Sequence, residues 1–185
     1  MTAIAAITDG KKVWIGGDSA ATNNFHGSEC RKDSKVFALG DFLIGCCNSF
    51  RVAQVIEYIF QPPAQTVGEE GLAYMIRSFI PELRHCLHET GACDERATDF
   101  EGSAIVCWNG EIYTVESDFH VGRITTGYQA IGSGYQIALG SLYSTEGTGI
   151  DNRDRLVRAL AAAEAFCATV RGPFTIIESS PEPSD

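Results

Sequence analysis

The segment Thr2-Ala3-Ile4-Ala5-Ala6-Ile7-Thr8 has no polar residue between its two threonines. A strand with one wet face alternates apolar and polar side chains, and this one does not. It reads as a strand buried on both faces, which places it inside a layered fold rather than at a surface. Asp9-Gly10 follows as a type I′ hairpin signal. Val13-Trp14-Ile15 is the second strand, and the pair Gly16-Gly17 before Asp18-Ser19 marks a close backbone approach.

The rest of the chain says which layers are present. After a polar loop from Asn23 to Asp33, Val36–Leu39 and Phe42–Gly45 flank a Gly40-Asp41 turn. Ser49 is placed to cap a helix reaching about Phe60, apolar at Val52, Val55, Ile56 and Ile59, and Gln61-Pro62-Pro63 stops it. Thr66-Val67-Gly68-Glu69 has the spacing of a capping box. The helix predicted after it carries Leu72, Met75, Ile76, Phe79, Ile80, Leu83 and Leu87, with Pro81 expected to kink or split it. Beyond a polar connection at 91–101, Asn109-Gly110 between Ser103–Trp108 and Glu111–Val115 is the clearest hairpin. Tyr128–Ile131 leads into Gly132-Ser133-Gly134 and a small-residue helix over Tyr135–Tyr143. Asp151 caps a helix apolar at Leu156, Leu160, Ala163, Cys167 and Val170, and Phe174–Ile177 is a last strand.

The order is thus four strands, two helices, several strands, two helices and one strand. Hairpins dominate, so the sheets are expected to be mainly antiparallel. Each helix pair needs an apolar surface to cover. The predicted class is α+β: a four-layer αββα sandwich of two stacked sheets with helices on both outer faces. Residues 1–178 form one predicted domain without repeat or linker, and 179–185, rich in Pro, Ser and acid, are expected to be a mobile tail.

Composition excludes several roles. A net charge of −10 in 185 residues argues against nucleic-acid or anionic-membrane partners, which need a basic surface. No apolar run reaches the ~18 residues of a membrane span and no signal segment opens the chain, so a cytoplasmic location is expected. The seven cysteines are scattered, several within apolar runs, and make no disulfide framework. His85, Cys86, His88 and Cys93 have metal-ligand side chains but no standard zinc spacing. Neither a metal nor a cofactor is expected.

Thr2 stands directly behind Met1 and is small enough for the methionine to be removed. Removal leaves a free α-amine and a hydroxyl on one residue, a compact base and nucleophile. With Thr2 at the head of the first strand, the strings Gly16-Gly17-Asp18-Ser19-Ala20-Ala21-Thr22, Lys35-Val36, Leu43-Ile44-Gly45 and Ala130-Ile131-Gly132-Ser133-Gly134 resemble, in order and spacing, proteasome β-type subunits and the bacterial HslV peptidase. The resemblance runs from Thr2 to about Ile177, and that family's αββα sandwich agrees with the layers inferred above.

The resemblance implies an N-terminal-nucleophile (Ntn) threonine peptidase. Thr2 would be the nucleophile and its amine the general base, acting through a water. Lys35 would lower the effective pKa of the Thr2 hydroxyl, with Asp18 holding Lys35. Ser133 would hydrogen-bond near the amine. The bland alternatives are a surface ion pair for Asp18 and Lys35, which their place on inner strands beside Gly16-Gly17 argues against, and a plain turn residue for Ser133. Thr22 and the segment Cys46-Cys47-Asn48-Ser49 would bind substrate as an added strand, with the Asn48 N–H as oxyanion donor and Cys46 beside the scissile bond. Cys46 and Cys47 are rival nucleophiles, but no histidine lies near them in sequence, and they read as wall residues.

Three departures stand out. Asn48 occupies a position usually held by Gly. The loop from Asp18 to Lys35 is one residue longer than in HslV. The segment Phe166–Gly172 holds no acid where one is expected to support the amine, and Thr169 is its candidate stand-in. The implied protein is a self-compartmentalising homo-oligomeric ring cleaving peptides or unfolded proteins. Any ATP-dependent unfoldase must be a separate chain, because this one lacks a phosphate-binding loop. The alternatives are an inactive structural ring subunit and an Ntn amidase acting on a small molecule.

Overall fold

The computed structural model describes residues 2–22 and 28–179. Met1, 23–27 and 180–185 lie outside the described residues, so Met1 removal and most of the expected tail are not addressed by it. The first residue of that tail, Ser179, donates its N–H to the Val13 carbonyl and accepts from the Val13 N–H.

Two sheets carry the fold. In the first, β1 (Ile4–Thr8) lies between β10 (Tyr128–Ile131) and β2 (Val13–Gly17), and β11 (Thr175–Glu178) closes the far side of β2. The second runs in the order β5 (Val36–Leu39), β6 (Phe42–Asn48), β7 (Gly102–Trp108), β8 (Glu111–Val115) and β9 (Val121–Arg123). A separate pair, β3 (Ala20–Thr22) and β4 (Ser28–Cys30), joins them. All pairings are antiparallel, as the hairpin signals predicted.

The period of two along each strand sorts the core into three layers. Ala3, just before β1, and Ala5 and Ile7 on it face α4 (Tyr135–Ser144) and α5 (Asn152–Phe166), where they meet Leu142, Leu156 and Leu160. Ile4 and Ala6 face the other way, into the space between the sheets, with Ile15, Leu43, Ile105 and Ile112. On β6 the alternation repeats: Leu43 and Cys47 point between the sheets, and Phe42, Ile44 and Cys46 point outward. That outer face is covered by α1 (Phe50–Tyr58), α2 (Gly71–Tyr74) and α3 (Ile80–Glu89). The result is the αββα sandwich. β1 is buried on both faces, and Ile4, Ala5 and Ala6 are fully inaccessible.

The paired glycines serve both faces of β2. A Cβ on Gly16 would lie 2.9 Å from Leu160 of α5, and one on Gly17 would lie 3.2 Å from Val36 of the opposite sheet. Across the layer, a Cβ on Gly45 would lie 2.8 Å from Ile4. Gly17 and Gly45 let the sheets approach at the end of β1 where Thr2 sits, and Gly16 admits α5.

Three local expectations are corrected. Asp9-Gly10 does not form a two-residue turn. Four residues separate β1 from β2, because the Asp9 carboxylate accepts the Lys11 and Lys12 N–H groups and folds a wider loop. Those bonds hold Asp9 below the usual carboxylate range. The second helical run is capped by Glu70, which accepts from the Ala73 N–H, while Thr66 and Glu69 merely close a turn through their backbones. Pro81 does not split that run. A π-helical turn, Met75–Phe79, joins α2 directly to α3 and places Pro81 in the first turn of α3, where its missing N–H matters least. Asn109-Gly110 is as predicted: both residues have positive φ, 49° and 74°, as a type I′ turn requires.

Candidate active site

Thr2 precedes β1 and is only 2 % exposed. Its main chain is held from the loop between β10 and α4. Its nitrogen lies 3.2 Å from Ser133 Oγ, and its carbonyl accepts from the Ser133 hydroxyl at 3.3 Å and from the Gly134 N–H at 3.2 Å. In a chain freed of Met1, that nitrogen is the α-amine. Ser133 therefore clamps both ends of the Thr2 backbone rather than simply filling a Gly-Ser-Gly turn.

Gly132 makes this approach possible. Its φ is +88°, and a Cβ there would lie 2.3 Å from the Thr2 carbonyl oxygen and 2.8 Å from its carbon. Both are backbone atoms, so no rotamer change relieves the clash. Gly132→Ala is expected to destabilise the fold by about 1–3 kcal/mol. The check is thermal unfolding, where a domain this size loses roughly 2–4 °C per kcal/mol. A melting temperature unchanged from wild type would show that the loop moves away without cost.

Asp18 and Lys35 form a buried ion pair, not a surface one. Lys35 Nζ donates to Asp18 Oδ1 at 2.8 Å, and the side chains are 4 % and 0 % exposed. Asp18 does more than hold the lysine. Its Oδ1 also accepts the Ala3 N–H at 3.0 Å, and its Oδ2 accepts the N–H groups of Ala20 at 3.0 Å and Arg171 at 3.2 Å. One carboxylate thus ties together the residue after Thr2, β3, the segment after α5 and Lys35. Burial pushes the Lys35 ammonium below the usual lysine range, and the hydrogen bond and charge of Asp18 oppose that fall.

Thr2 and Lys35 line one small cavity, about 60 Å³, with Cys46, Asn48, Ser49, Phe50 and Ala53. A larger hollow of about 580 Å³ lies beside it, framed by Cys47, Ser103, Glu116, Gly132, Ser133 and Tyr135. Asn48 lines both. It is the corner of a three-residue turn closed by the Ser49 N–H on the Cys47 carbonyl, with φ of 73°. A positive φ at the centre of such a turn is strained, and asparagine bears it better than most residues. Cys46 and Cys47 are both buried, and Cys47 Sγ lies 3.2 Å from Ser103 Oγ. Burial pushes the Cys46 thiol far up, which removes the thiolate a nucleophile needs. Thr22 ends β3, opposite Ser28.

Beyond Ser133, where the sequence lacks the expected acid, are a hydroxyl and a thiol. Thr169 Oγ1 lies 2.8 Å from Ser133 Oγ, and Cys167 Sγ lies 3.3 Å from Thr169 Oγ1 and 3.6 Å from Ser133 Oγ. Burial raises the Cys167 pKa, but hydrogen bonding with Thr169 and then Ser133 outweighs it, and the net shift is downward. Cys167 read as a helix-face residue in the sequence. It is instead the C-cap of α5, and no local pattern announced its contact with Ser133. Phe50 and Ala53 were likewise unforeseen. They reach the cavity only because α1 starts at the strained corner.

Among the described residues no group of three or more His, Cys, Asp or Glu is arranged to hold a metal ion. No described helix is long and apolar enough to cross a membrane.

Neither a protein-family model nor a curated protein sequence matches the chain. Solved structures do. BPH of Thiobacillus denitrificans, also solved in complex with epoxomicin, superposes with a TM-score of 0.81 at 18 % identity, over 99 % of this chain and 100 % of that one. HslV of Trypanosoma brucei gives 0.70 at 21 % identity over 96 % and 98 %. A mutant of Anbu from Hyphomicrobium sp. strain MC1 gives 0.69 at 10 % identity over 98 % and 82 %. With two antiparallel sheets between paired helical layers and near-complete coverage on both sides, the chain has the fold of the proteasome β-type and HslV-like Ntn hydrolases.

Proposed function

We propose that this protein is an N-terminal threonine peptidase. The observation that carries the reading is the placement of Thr2: its nitrogen is 3.2 Å from Ser133 Oγ, and it shares a cavity with Lys35 of the buried Asp18 pair. Once Met1 is removed, the Thr2 amine takes the hydroxyl proton through a water, and Oγ1 attacks the scissile carbonyl carbon. The oxyanion forms beside the Asn48 N–H. The Lys35 charge stabilises the alkoxide as it develops. Collapse breaks the C–N bond. The departing amine takes the proton from the Thr2 amine, and the acyl group remains as an ester on Thr2. Water, deprotonated by the same amine, then hydrolyses the ester. In this reading Cys46, Cys47, Asn48 and Thr22 bind the substrate as an added strand. Assembly into a homo-oligomeric ring and feeding by a separate ATP-dependent unfoldase belong to the same reading.

The deciding experiment is intact mass and N-terminal sequencing of protein from its native host, followed by incubation with epoxomicin. Thr2 at the N-terminus and saturable epoxomicin binding that Thr2→Ala abolishes are expected. Retained Met1 would block the base and turn the reading over to the alternative, an inert structural subunit. The observation favouring that alternative is that, among the described residues, Ser133 Oγ meets the Thr169 hydroxyl and the Cys167 thiol rather than a carboxylate. A panel of peptides and small amides distinguishes a peptidase from an amidase.

A further inference from the structure

We propose that the hollow between α3 and the turns at 94–97 and 116–119 binds a small organic anion carrying an aromatic or alkyl group. The hollow shares no lining residue with the Thr2 cavities, so the inference is independent of the peptidase reading. Its volume is about 550 Å³, within the range of small-molecule sites.

Its charge runs against that of the whole chain. The net charge is −10, yet two arginines, Arg84 and Arg96, line this one hollow, with the His85 and His88 imidazoles as further N–H donors. No acid among the described residues lines the hollow, and two acids of the neighbouring turns direct their carboxylates to backbone N–H groups. The Asp94 carboxylate accepts the N–H groups of Arg96, Thr98 and Asp99, and Asp118 accepts from His120. Among the described residues, His88 is paired with Glu89 at 3.3 Å, and no ion pair involves Arg84, His85 or Arg96. Two guanidinium groups without a carboxylate suit a carboxylate, phosphate or sulfonate, whose oxygens match their forked donors.

The floor is apolar and built at the expense of backbone comfort. Four described non-glycine residues have positive φ. Asn109 belongs to a hairpin turn and Asn48 to the Thr2 site. The other two, Ala97 at 50° and Phe119 at 65°, both line this hollow. Each sits at the corner of a tight turn, bonding back to Asp94 and Glu116, where glycine would be unstrained. A bulky side chain in that conformation is an outlier that only its surroundings can hold. Here it holds the Phe119 ring 8 % exposed against Phe100, with the Arg84 guanidinium 6.0 Å above it. An aromatic ring beneath one guanidinium, with a second guanidinium lining the same hollow, is a receptor for an anion with an apolar body.

The test is calorimetric titration of the full chain with phenyl phosphate and, separately, inorganic phosphate. Saturable phenyl phosphate binding that weakens with added salt is expected, with inorganic phosphate binding less tightly. Arg84→Gln with Arg96→Gln should weaken phenyl phosphate at least about tenfold. Phe119→Gly, which relaxes the turn and removes the ring, should erase the preference over inorganic phosphate. Arg153→Gln on α5 should change neither. Circular dichroism establishes that each variant is folded. No saturable binding, or binding unaffected by the double arginine change, overturns the proposal. So does capture of an acidic peptide without phenyl phosphate binding, which would make the hollow a protein-docking surface.

Discussion

Thr2→Ala is expected to reduce peptide hydrolysis by about 10⁶, to the floor of the assay, with the fold intact. The geometry makes this a clean test. Ser133 and Gly134 hold the nitrogen and carbonyl of Thr2, and Asp18 holds the N–H of Ala3, so none of these bonds uses the side chain being removed. Alanine keeps the α-amine and the backbone position and loses only the group that attacks. Thr2→Ser keeps hydroxyl and amine together and should retain measurable turnover. Both need mass spectrometry to show that Met1 is gone, since an acylated nitrogen cannot act as base. Activity surviving in Thr2→Ala would move the nucleophile elsewhere. Cys46 is a poor candidate, because its burial keeps the thiol protonated.

What the sequence disclosed follows from which interactions are local. The two-sided burial of β1 was legible because Ala3 to Ile7 has no polar position to turn outward, and the structure splits that run between two core layers. The Asn109-Gly110 turn was legible because its dihedral demands are met within two residues. The Thr66 capping box failed for the converse reason: its spacing is common, and Glu70 four residues on competes for the same orphan N–H groups. Pro81 was read as a break because a proline's missing donor is visible in sequence, whereas the π turn that absorbs it is not.

The site divides the same way. Thr2, Asp18, Lys35 and Ser133 were suggested by their strings, and the structure brings all four together. The second duty of Asp18, gathering N–H groups from residues 3, 20 and 171, spans segments far apart in the chain and leaves no local mark. The Ser133–Thr169–Cys167 contact also crosses more than thirty residues; the sequence offered Thr169 in place of the missing acid but gave no sign of Cys167.

Asp18→Asn is expected to lower stability by about 3–5 kcal/mol, the range for removing one partner of a buried ion pair. Asparagine offers one acceptor oxygen where aspartate offers two. Its NH2 must therefore face either the Ala3 N–H and Lys35 or the Ala20 and Arg171 N–H groups, and donors then oppose donors. The loss should depend on pH. Burial already depresses the Lys35 pKa, and removing the carboxylate depresses it further. An unfolded lysine stays protonated up to about 10.4, so above its lower folded pKa the variant sheds a proton on folding, and its stability rises with pH through that window. The wild type enters its own window only at a higher pH. The deficit measured by urea unfolding should therefore be wide at neutral pH and shrink as pH rises between the two folded Lys35 pKa values. Adding Lys35→Met to Asp18→Asn removes the buried ammonium and should recover part of the stability, although not activity, because the alkoxide loses its cation. A pH-independent deficit, with no recovery in the double variant, would mean that the lost backbone bonds of Asp18 outweigh its charge.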